Sequence, residues 1–229
     1  MTKLVRKITI TGSEGLVGKE LCKFFKNDKV IRLDLKLGHD LSDENFVKTW
    51  FKNNHSDYLI NCFALNDHID KIKKKTTIFN VSLDSFSKYL DINLKSLFSV
   101  CREFARNNKK SGIVNFSSIY GLISPNPSLY GFKQKDIGYG VSKAGVINLT
   151  KYLAVHLSPN IRVNCIIPGG IQSNQNQKFL SNYSKLTPMK RMMKKNELGP
   201  LVDFLCSKKS SYVTGSSYVI DGGYPSWKF

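Results

Sequence analysis

The sequence predicts a doubly wound α/β domain, in which helices cover both faces of a mainly parallel sheet. Short apolar runs alternate with longer segments of helical period, which is the pattern of βαβ units. The first apolar run is followed by a glycine-rich turn, Thr11 to Gly18, and then at once by a helical segment. The chain has 229 residues, of which 41% are hydrophobic and 23% charged. We therefore expect residues 1–229 to form a single domain.

Six apolar runs are predicted to be strands. They are Lys7 to Thr11, Val30 to Leu35, Tyr58 to Cys62, Ile113 to Phe116, Ile161 to Ile167 and Tyr218 to Ile220. The predicted helices are Leu16 to Phe25, the segment of Phe46, Trp50 and Phe51 after Ser42 and Asp43, Leu83 to Arg106, Tyr139 to His156, and one that begins near Pro200. The two longest irregular stretches, Ile119 to Gly138 and Gly169 to Asn196, are predicted to be substrate loops.

A formal net charge of +18 is the unusual feature of the composition. Such a charge could attract a polyanion such as nucleic acid or an acidic lipid. However, the cations are scattered along the chain. The small clusters are Lys73 to Lys75, Lys190 with Arg191, Lys194 with Lys195, and Lys208 with Lys209. Isolated runs of this kind are usually solvated surface, so we expect no nucleic-acid partner.

Several other classes of protein are disfavoured by the sequence. No apolar run approaches the roughly 20 residues that span a bilayer, and no export signal is visible. Five widely spaced cysteines suit neither a disulfide framework nor a zinc site, and the four histidines lack metal-ligand spacing. We therefore expect no membrane association, no bound metal and a location in the reducing cytoplasm.

The glycine-rich turn predicts a dinucleotide site. Glycines permit a tight turn and let a pyrophosphate approach the backbone, while the N-terminus of the following helix attracts phosphate. A glycine turn that binds no ligand is the alternative. The residues expected to contact a cofactor here are Gly12, Glu14, Gly15, Leu16, Val17 and Gly18.

Asp34 is expected to decide which nicotinamide cofactor binds. It ends the second predicted strand, at about the spacing where a carboxylate receives the ribose hydroxyls of the adenosine half. Its charge, with that of Glu14, is expected to repel the 2′-phosphate of NADP(H), although Arg32 and Lys36 offset part of this effect. The sequence therefore favours NAD(H).

Tyr139 and Lys143 lie four residues apart and so share one face of a predicted helix. A tyrosine with a pKa of about 10 is a poor base at neutral pH. The ammonium of Lys143, together with a positive nicotinamide, is expected to lower the pKa of Tyr139. The same spacing recurs at Tyr224 and Lys228, but a proline between them disfavours a helix. Ser118 ends a predicted strand, where a hydroxyl could hold a substrate carbonyl.

These motifs together resemble the short-chain dehydrogenase/reductase family, and the resemblance runs nearly end to end. It implies a Rossmann-type fold in a homo-oligomer, either a dimer or a tetramer. Ser118, Tyr139 and Lys143 match the catalytic residues of that family, and Asn93 matches the asparagine that completes its proton relay. The resemblance also implies cofactor contacts from Asp40, Leu41, Asn61, Ala64, Pro168, Gly169, Ile171 and Ser173, in addition to Tyr139 and Lys143.

The predicted function is the NAD(H)-dependent interconversion of a secondary alcohol and a ketone. The insert between Ser118 and Tyr139 resembles those of family members that act on bacterial surface-sugar or flagellin-glycan precursors, which suggests a nucleotide-activated sugar or another anionic small molecule. Tyr120 and Tyr130 of the insert are either substrate contacts or packing anchors. The cations expected to hold the substrate are Lys133 and Lys135 in one loop and Lys190, Arg191, Lys194 and Lys195 in the other.

Two alternatives accompany this prediction. One is a 3-oxoacyl-carrier-protein reductase, whose acidic carrier would also suit a basic surface, although Asp34 argues against the NADP(H) preference that would support it. The other is a non-catalytic nucleotide-binding or nucleic-acid-binding protein on the same fold. The intact set of Ser118, Tyr139 and Lys143 disfavours the second alternative.

Overall fold

A parallel sheet of six strands forms the centre of the chain. The computed structural model describes residues 5–67, 77–130, 134–224 and 226. The strands are β1 (Lys7–Thr11), β2 (Lys29–Leu33), β3 (Tyr58–Asn61), β4 (Ser111–Phe116), β5 (Ile161–Pro168) and β6 (Ser217–Ile220). They lie in the order β2-β1-β3-β4-β5-β6, and every neighbouring pair is parallel. The strand order reverses direction at β1, as in doubly wound folds, so the predicted fold class is confirmed.

Helices cover both faces of the sheet. Within the described residues they are α1 (Leu16–Phe24), α2 (Glu44–Asn53), α3 (Leu83–Leu90), α4 (Ser96–Asn107), α5 (Ile137–Leu157), α6 (Gln177–Lys185) and α7 (Gly199–Leu205). One apolar layer packs α2, α4 and α5 against Leu59, Ile113 and Val163 of the sheet. The other packs α1 and α7 against the alternate residues Ile60 and Val114. Both faces of these strands are buried, which is why they read as continuous apolar runs in the sequence.

The turn between β1 and α1 depends on two glycines. Gly12 has φ +64°, in the left-handed region that favours glycine. A Cβ on Gly18 would lie 2.1 Å from the carbonyl oxygen of Gly12, so only glycine lets α1 approach the turn this closely. The helix begins after its N-cap, Gly15. The turn therefore brings the first N–H groups of α1 to the carboxyl edge of the sheet.

Two predictions about helices are corrected by the structure. The segment predicted as one helix from Leu83 to Arg106 contains a π-helical turn, Asp91–Lys95, between α3 and α4. The stretch from Gly169 to Asn196, predicted to be irregular, contains α6. Its N-cap Asn176 accepts a hydrogen bond from Phe179 N at 2.8 Å, which fixes the start of the helix.

A row of buried polar side chains crosses the sheet and is called the polar row below. The Thr11 hydroxyl donates to Asn61 Oδ1 (3.0 Å), and Asn61 Nδ2 donates to Asn115 Oδ1 (2.9 Å). Asn115 Nδ2 then donates to the Thr150 hydroxyl of α5 (3.0 Å). All four residues are at most 2% exposed, and the first three are register partners on β1, β3 and β4. The polar row therefore joins three strands and one helix.

Two kinds of feature are absent from the part of the chain that the structure describes, a membrane-spanning helix and a cluster of metal ligands. No helix there is long and apolar enough to cross a bilayer. In the same residues, no group of three or more His, Cys, Asp or Glu side chains is arranged to hold a metal ion. All five cysteines of the chain are described, and they are free thiols.

Candidate active site

A cleft of about 860 Å³ opens at the carboxyl ends of the strands. The start of α1 lines it with Gly15, Leu16 and Val17, and the start of α5 lines it with Tyr139 and Lys143. Residues that follow β4 and β5, together with α6, complete its walls. The glycine-rich turn and the predicted catalytic pair therefore share one cleft, at the edge of the sheet where open α/β folds bind ligands.

Ser118, Tyr139 and Lys143 meet in this cleft, and each is only 5 to 8% exposed. Ser118 follows β4, and its hydroxyl accepts a hydrogen bond from Tyr120 N (3.2 Å). Tyr139 and Lys143 lie on α5, and Lys143 Nζ donates to the Phe116 carbonyl at the end of β4 (2.9 Å). The structure thus brings the three predicted catalytic residues together.

Burial dominates the electrostatics of the two titratable groups. It raises the pKa of Tyr139, and a hydrogen bond with Ser118 opposes this rise in part. Burial also lowers the pKa of Lys143 to about 8. The ammonium of Lys143 lies 5.9 Å from the centre of the Tyr139 ring and is hydrogen-bonded elsewhere. In the chain by itself, loss of hydration therefore outweighs the hydrogen bond with Ser118, and the expected lowering of the pKa of Tyr139 by Lys143 together with a bound nicotinamide stays a prediction.

Asn93 lies in the π-helical turn and holds the loop after β3 against α5. Its Oδ1 accepts a hydrogen bond from Leu65 N (2.6 Å). Its Nδ2 donates to the Leu65 carbonyl (3.1 Å) and to the Ser142 hydroxyl (3.0 Å). The Ser142 hydroxyl in turn donates to the carbonyl of Tyr139 (2.8 Å). Asn93 therefore links a wall of the cleft to the helix that carries Tyr139, and its part in a proton relay stays a prediction.

The two acidic residues near the glycine turn have different partners. Asp34 Oδ2 accepts a hydrogen bond from Glu14 N (2.9 Å), and Asp34 Oδ1 accepts one from Lys36 N (2.9 Å). The carboxylate of Glu14 forms an ion pair with Arg32 and a second one, at 3.6 Å, with Lys19. The negative charge of Glu14 is therefore balanced by cations, whereas the described partners of the Asp34 carboxylate are main-chain N–H groups.

The residues predicted to contact a cofactor fall into two groups. Those that line the cleft are Gly15, Leu16, Val17, Ala64, Pro168, Gly169, Ile171 and Ser173, with Tyr139 and Lys143. Those outside the described lining are Gly12, Glu14, Gly18, Asp34, Asp40, Leu41 and Asn61. Asp40 is exposed, and hydrogen bonds from the Ser42 hydroxyl and N–H lower its pKa. Leu41 is buried, and Asn61 turns its side chain into the polar row. Cofactor contacts from the second group stay predictions.

Aromatic side chains form one wall of the cleft and are called the aromatic wall below. Tyr120, Tyr130, Phe179 and Tyr183 follow one another with ring centres 5.8 to 6.5 Å apart. The hydroxyls of Tyr120 and Tyr130 are hydrogen-bonded to each other, so these two residues both line the cleft and pack together. Phe179 and Tyr183 were missed from the sequence because α6 was missed. The helical spacing of Phe179, Leu180 and Tyr183 is the signal that identifies them.

The cations that line the cleft agree only in part with those predicted. Besides Lys143, the described lining contains Lys135, as predicted, and Lys178, which lies on the unpredicted α6. Lys190, Arg191, Lys194 and Lys195 do not belong to that lining. Arg191 instead pairs with Glu197 at 2.6 Å. Lys133 lies outside the described residues, so the prediction about it stays untested.

Known proteins resemble this chain along almost its whole length. A family model described as enoyl-(acyl carrier protein) reductase matches residues 20–225. The chain is 29% identical to post-translational flagellin modification protein A of Campylobacter coli, over 95% of this chain and 97% of that protein. It is 32% identical to the 3-oxoacyl-[acyl-carrier-protein] reductase FabG of Rickettsia bellii, over 82% of this chain and 80% of that protein.

A solved structure extends the similarity to three dimensions. A short-chain dehydrogenase from Leptospira borgpetersenii, solved with bound NAD+, matches with a TM-score of 0.83 and 32% identity, over 96% of this chain and 92% of that one. The family model, the sequence relatives and this structure agree over most of the chain. The chain therefore belongs to the short-chain dehydrogenase/reductase family of enzymes.

Proposed function

We propose that this enzyme binds NAD(H) and interconverts a secondary alcohol and a ketone. The observation that carries the proposal is a single cleft lined both by the start of α1 and by Ser118, Tyr139 and Lys143. The NAD+ bound to the Leptospira relative supports it. The hydride chemistry would be supplied by NAD(H) when it is bound, and the residues of the chain position the substrate and move the proton.

The start of α1 suits the phosphates of a dinucleotide. Gly15 is exposed and lines the cleft with Leu16 and Val17. The first N–H groups of an α-helix have no partner within the helix, and the helix dipole favours an anion beside them. A side chain on Gly18 would force α1 away from the turn. The residues present therefore fit a pyrophosphate at this end of the cleft.

Proton transfer is assigned to three residues at the other end of the cleft, Ser118, Tyr139 and Lys143. In the reducing direction, the Ser118 hydroxyl donates a hydrogen bond to the ketone oxygen, and Tyr139 gives its phenolic proton to the alkoxide that forms. In the oxidising direction, the Tyr139 phenolate takes that proton back. The raised pKa of Tyr139 suits the acid role. Lys143 is the cation that stabilises the phenolate left after the transfer, and Asn93 positions α5 through Ser142.

A substrate panel tests this proposal. Nucleotide-activated sugars and acyl thioesters are each incubated with NAD(H) and with NADP(H). The absorbance of the reduced cofactor, NADH or NADPH, is followed. We expect turnover of at least one nucleotide-activated sugar with NAD(H). Failure of the whole panel, together with no binding of NADH by fluorescence, would contradict the proposal.

A second candidate function is the reduction of 3-oxoacyl groups on an acyl carrier protein. The relative in Rickettsia bellii favours it, and so does the net charge of +18, which would attract an acidic carrier. Preference for NADPH and for acyl thioesters in the same panel would support it. The relative in Campylobacter coli matches a larger share of both chains and favours a substrate linked to flagellin modification instead.

We expect NADH to bind more tightly than NADPH. We expect Glu14→Gln to reduce the ratio between the two affinities. That change weakens the ion pair that holds Arg32, and the freed guanidinium then attracts a 2′-phosphate. Asp34→Asn is also expected to narrow the difference, since it removes a charge while keeping an oxygen that accepts from Glu14 N. Titration of both cofactors, followed by protein fluorescence, measures these effects. Tighter binding of NADPH to the unmutated enzyme contradicts the charge argument.

We further propose that the substrate is anionic and that α6 helps to bind it. Lys178 is exposed and lines the cleft on the same helix as Phe179 and Tyr183. A cation beside an aromatic wall suits a molecule with both a phosphate and a ring, since rings stack on aromatic side chains and phosphates attract lysine. A nucleotide-activated sugar has both groups.

Turnover efficiency is expected to fall as salt rises, because salt shortens the Debye length to about 8 Å at physiological ionic strength. Lys178→Ala is expected to raise KM and to flatten this salt dependence. Lys185→Ala is the matched control, since Lys185 is exposed on the same helix but outside the described lining of the cleft. The measurement is kcat/KM against sodium chloride concentration. A flat response of the unmutated enzyme, or better turnover of a neutral ketone, contradicts the anionic substrate.

We also propose that the enzyme is a homo-oligomer of the cytoplasm. Phe98 on α4 and Tyr152 and Val155 on α5 are 40%, 61% and 74% exposed. A second copy of the chain would bury this apolar face. The free thiols suit a reducing compartment. Sedimentation equilibrium measures the oligomeric state. A monomer at micromolar concentration contradicts the proposed homo-oligomer.

A further inference from the structure

A second lysine lies against the ring of Tyr139. The ammonium of Lys135, in the segment just before α5, is 4.6 Å from the centre of that ring, whereas the ammonium of Lys143 is 5.9 Å away. A cation within about 6 Å of the face of an aromatic ring is attracted by the ring. The attraction increases when the ring carries a negative charge, because a full Coulomb interaction is added to it.

Two acceptors in one loop hold Lys135 in this position. Its Nζ donates to Asn66 Oδ1 and, at 2.6 Å, to the carbonyl oxygen of Asp67. Both acceptors follow β3, so the contact ties that loop to the start of α5. The carboxylates of Asp67 and Asp136 favour the ammonium, but burial outweighs them and lowers the pKa of Lys135 to about 8. Lys135 is therefore charged at neutral pH and loses its charge as the pH rises through about 8.

Apart from the two lysines, the groups that face Tyr139 are neutral at any pH below their own pKa values. Ser118 shares a hydrogen bond with the phenol, Tyr89 meets the ring edge to face at 6.3 Å, and Tyr130 lies within electrostatic reach. The carboxylates near Lys135 are themselves engaged. Asp67 accepts a hydrogen bond from the Tyr89 hydroxyl (3.1 Å), and Asp136 accepts from Gly138 N (2.8 Å) and the Ser85 hydroxyl (2.9 Å).

We propose that Lys135 is a positioning residue that stabilises the phenolate form of Tyr139, jointly with Lys143. It acts through Tyr139 by shifting the equilibrium between the phenol and the phenolate of that residue toward the phenolate. The oxidising direction, which starts from phenolate, gains from this, and the reducing direction, which starts from phenol, does not. This inference deepens the proposed function, because its consequence for turnover rests on Tyr139 as the acid–base group.

A titration of Tyr139 tests the inference without any substrate. Residue 139 is replaced by 3,5-difluorotyrosine, which lowers the intrinsic pKa of the phenol into an accessible range, and its fluorine resonance is followed against pH. In this background we expect Lys135→Met to raise the midpoint by about one pH unit, in line with the loss of one nearby opposite charge. Lys135→Arg, which stays charged throughout the titration, is expected to keep the midpoint low.

The control is Lys151→Met, because Lys151 is exposed on α5, the helix that carries Tyr139. Lys135→Gln repeats the test should the methionine variant fail to fold. An unchanged midpoint in both neutral variants, or an equal shift in the Lys151 variant, overturns the role of Lys135. Neither result depends on what the enzyme turns over, so a failure of the proposed function is seen separately, in the substrate panel and in the activity of Tyr139→Phe.

Discussion

Tyr139→Phe is expected to lower turnover by roughly 10²- to 10⁴-fold while cofactor affinity stays nearly unchanged. The substitution removes the phenolic hydroxyl alone, and with it the proton that general acid catalysis requires. The phenyl ring still packs edge to face on Tyr89, so the local structure is retained. The measurement is kcat with the best substrate of the panel, together with the NADH dissociation constant from fluorescence.

Tyr224→Phe is the internal control for that experiment. Tyr224 begins the second copy of the Tyr-x-x-x-Lys spacing, but it is buried in a turn and stacks on Tyr183 at 5.1 Å. It is not part of the described lining of the cleft, so its variant is expected to stay active. If the Tyr224 variant were inactive and the Tyr139 variant active, the catalytic assignment would be wrong.

Lys143→Met is expected to lower kcat/KM by at least about a hundredfold. It removes the cation assigned to the Tyr139 phenolate and the donor to the Phe116 carbonyl, both in a buried site where each interaction counts for more than in water. Lys151→Met, exposed on the same helix, is the matched control. Near-normal activity of the Lys143 variant at neutral pH contradicts the assigned role.

The same variant is expected to change how stability depends on pH. The pKa of Lys143 is about 8 in the folded chain, whereas an unfolded lysine has a pKa of about 10.4. Between these values the unfolded chain binds more protons, so this group contributes a stability that rises with pH. The free energy of unfolding of the unmutated chain should therefore rise, relative to Lys143→Met, from about pH 8 to about pH 10. Urea unfolding of both chains across that window measures the difference. If the difference did not change with pH, the lowered pKa of Lys143 would be contradicted.

The strands were the most predictable part of the fold. All six predicted runs became strands, with ends within two residues of those observed. The inner strands β3, β4 and β5 are continuous apolar segments because they are buried on both faces. The helix carrying Tyr139 and Lys143 was predicted for a similar reason, since its apolar content is high over many turns. The predicted catalytic pair could therefore be located from the sequence before any contact was known.

The helices near the cleft were less predictable. The π-helical turn Asp91–Lys95 adds one residue to the helical repeat, and its stabilising contacts are made by Asn93 with Leu65 and Ser142, which are distant in sequence. The position of Lys135 depends in the same way on Asn66 and an acceptor beside it. Contacts of this kind are decided by tertiary packing, so local periodicity could not show them.

The polar row also selects the register in which the strands pair. A slip of one residue would turn every apolar side chain to the wrong layer, so hydrophobicity alone excludes it. A slip of two residues keeps each side chain on its own layer, and the Ile, Val and Leu residues of β1, β3 and β4 hardly distinguish it from the native pairing. Such a slip would separate Asn61 from Thr11 and Asn115, at a cost of about 1 to 3 kcal/mol for each buried group left without a partner. The buried side chains of Thr11, Asn61 and Asn115 thus favour the native register over a two-residue slip that the apolar residues of the sheet hardly oppose.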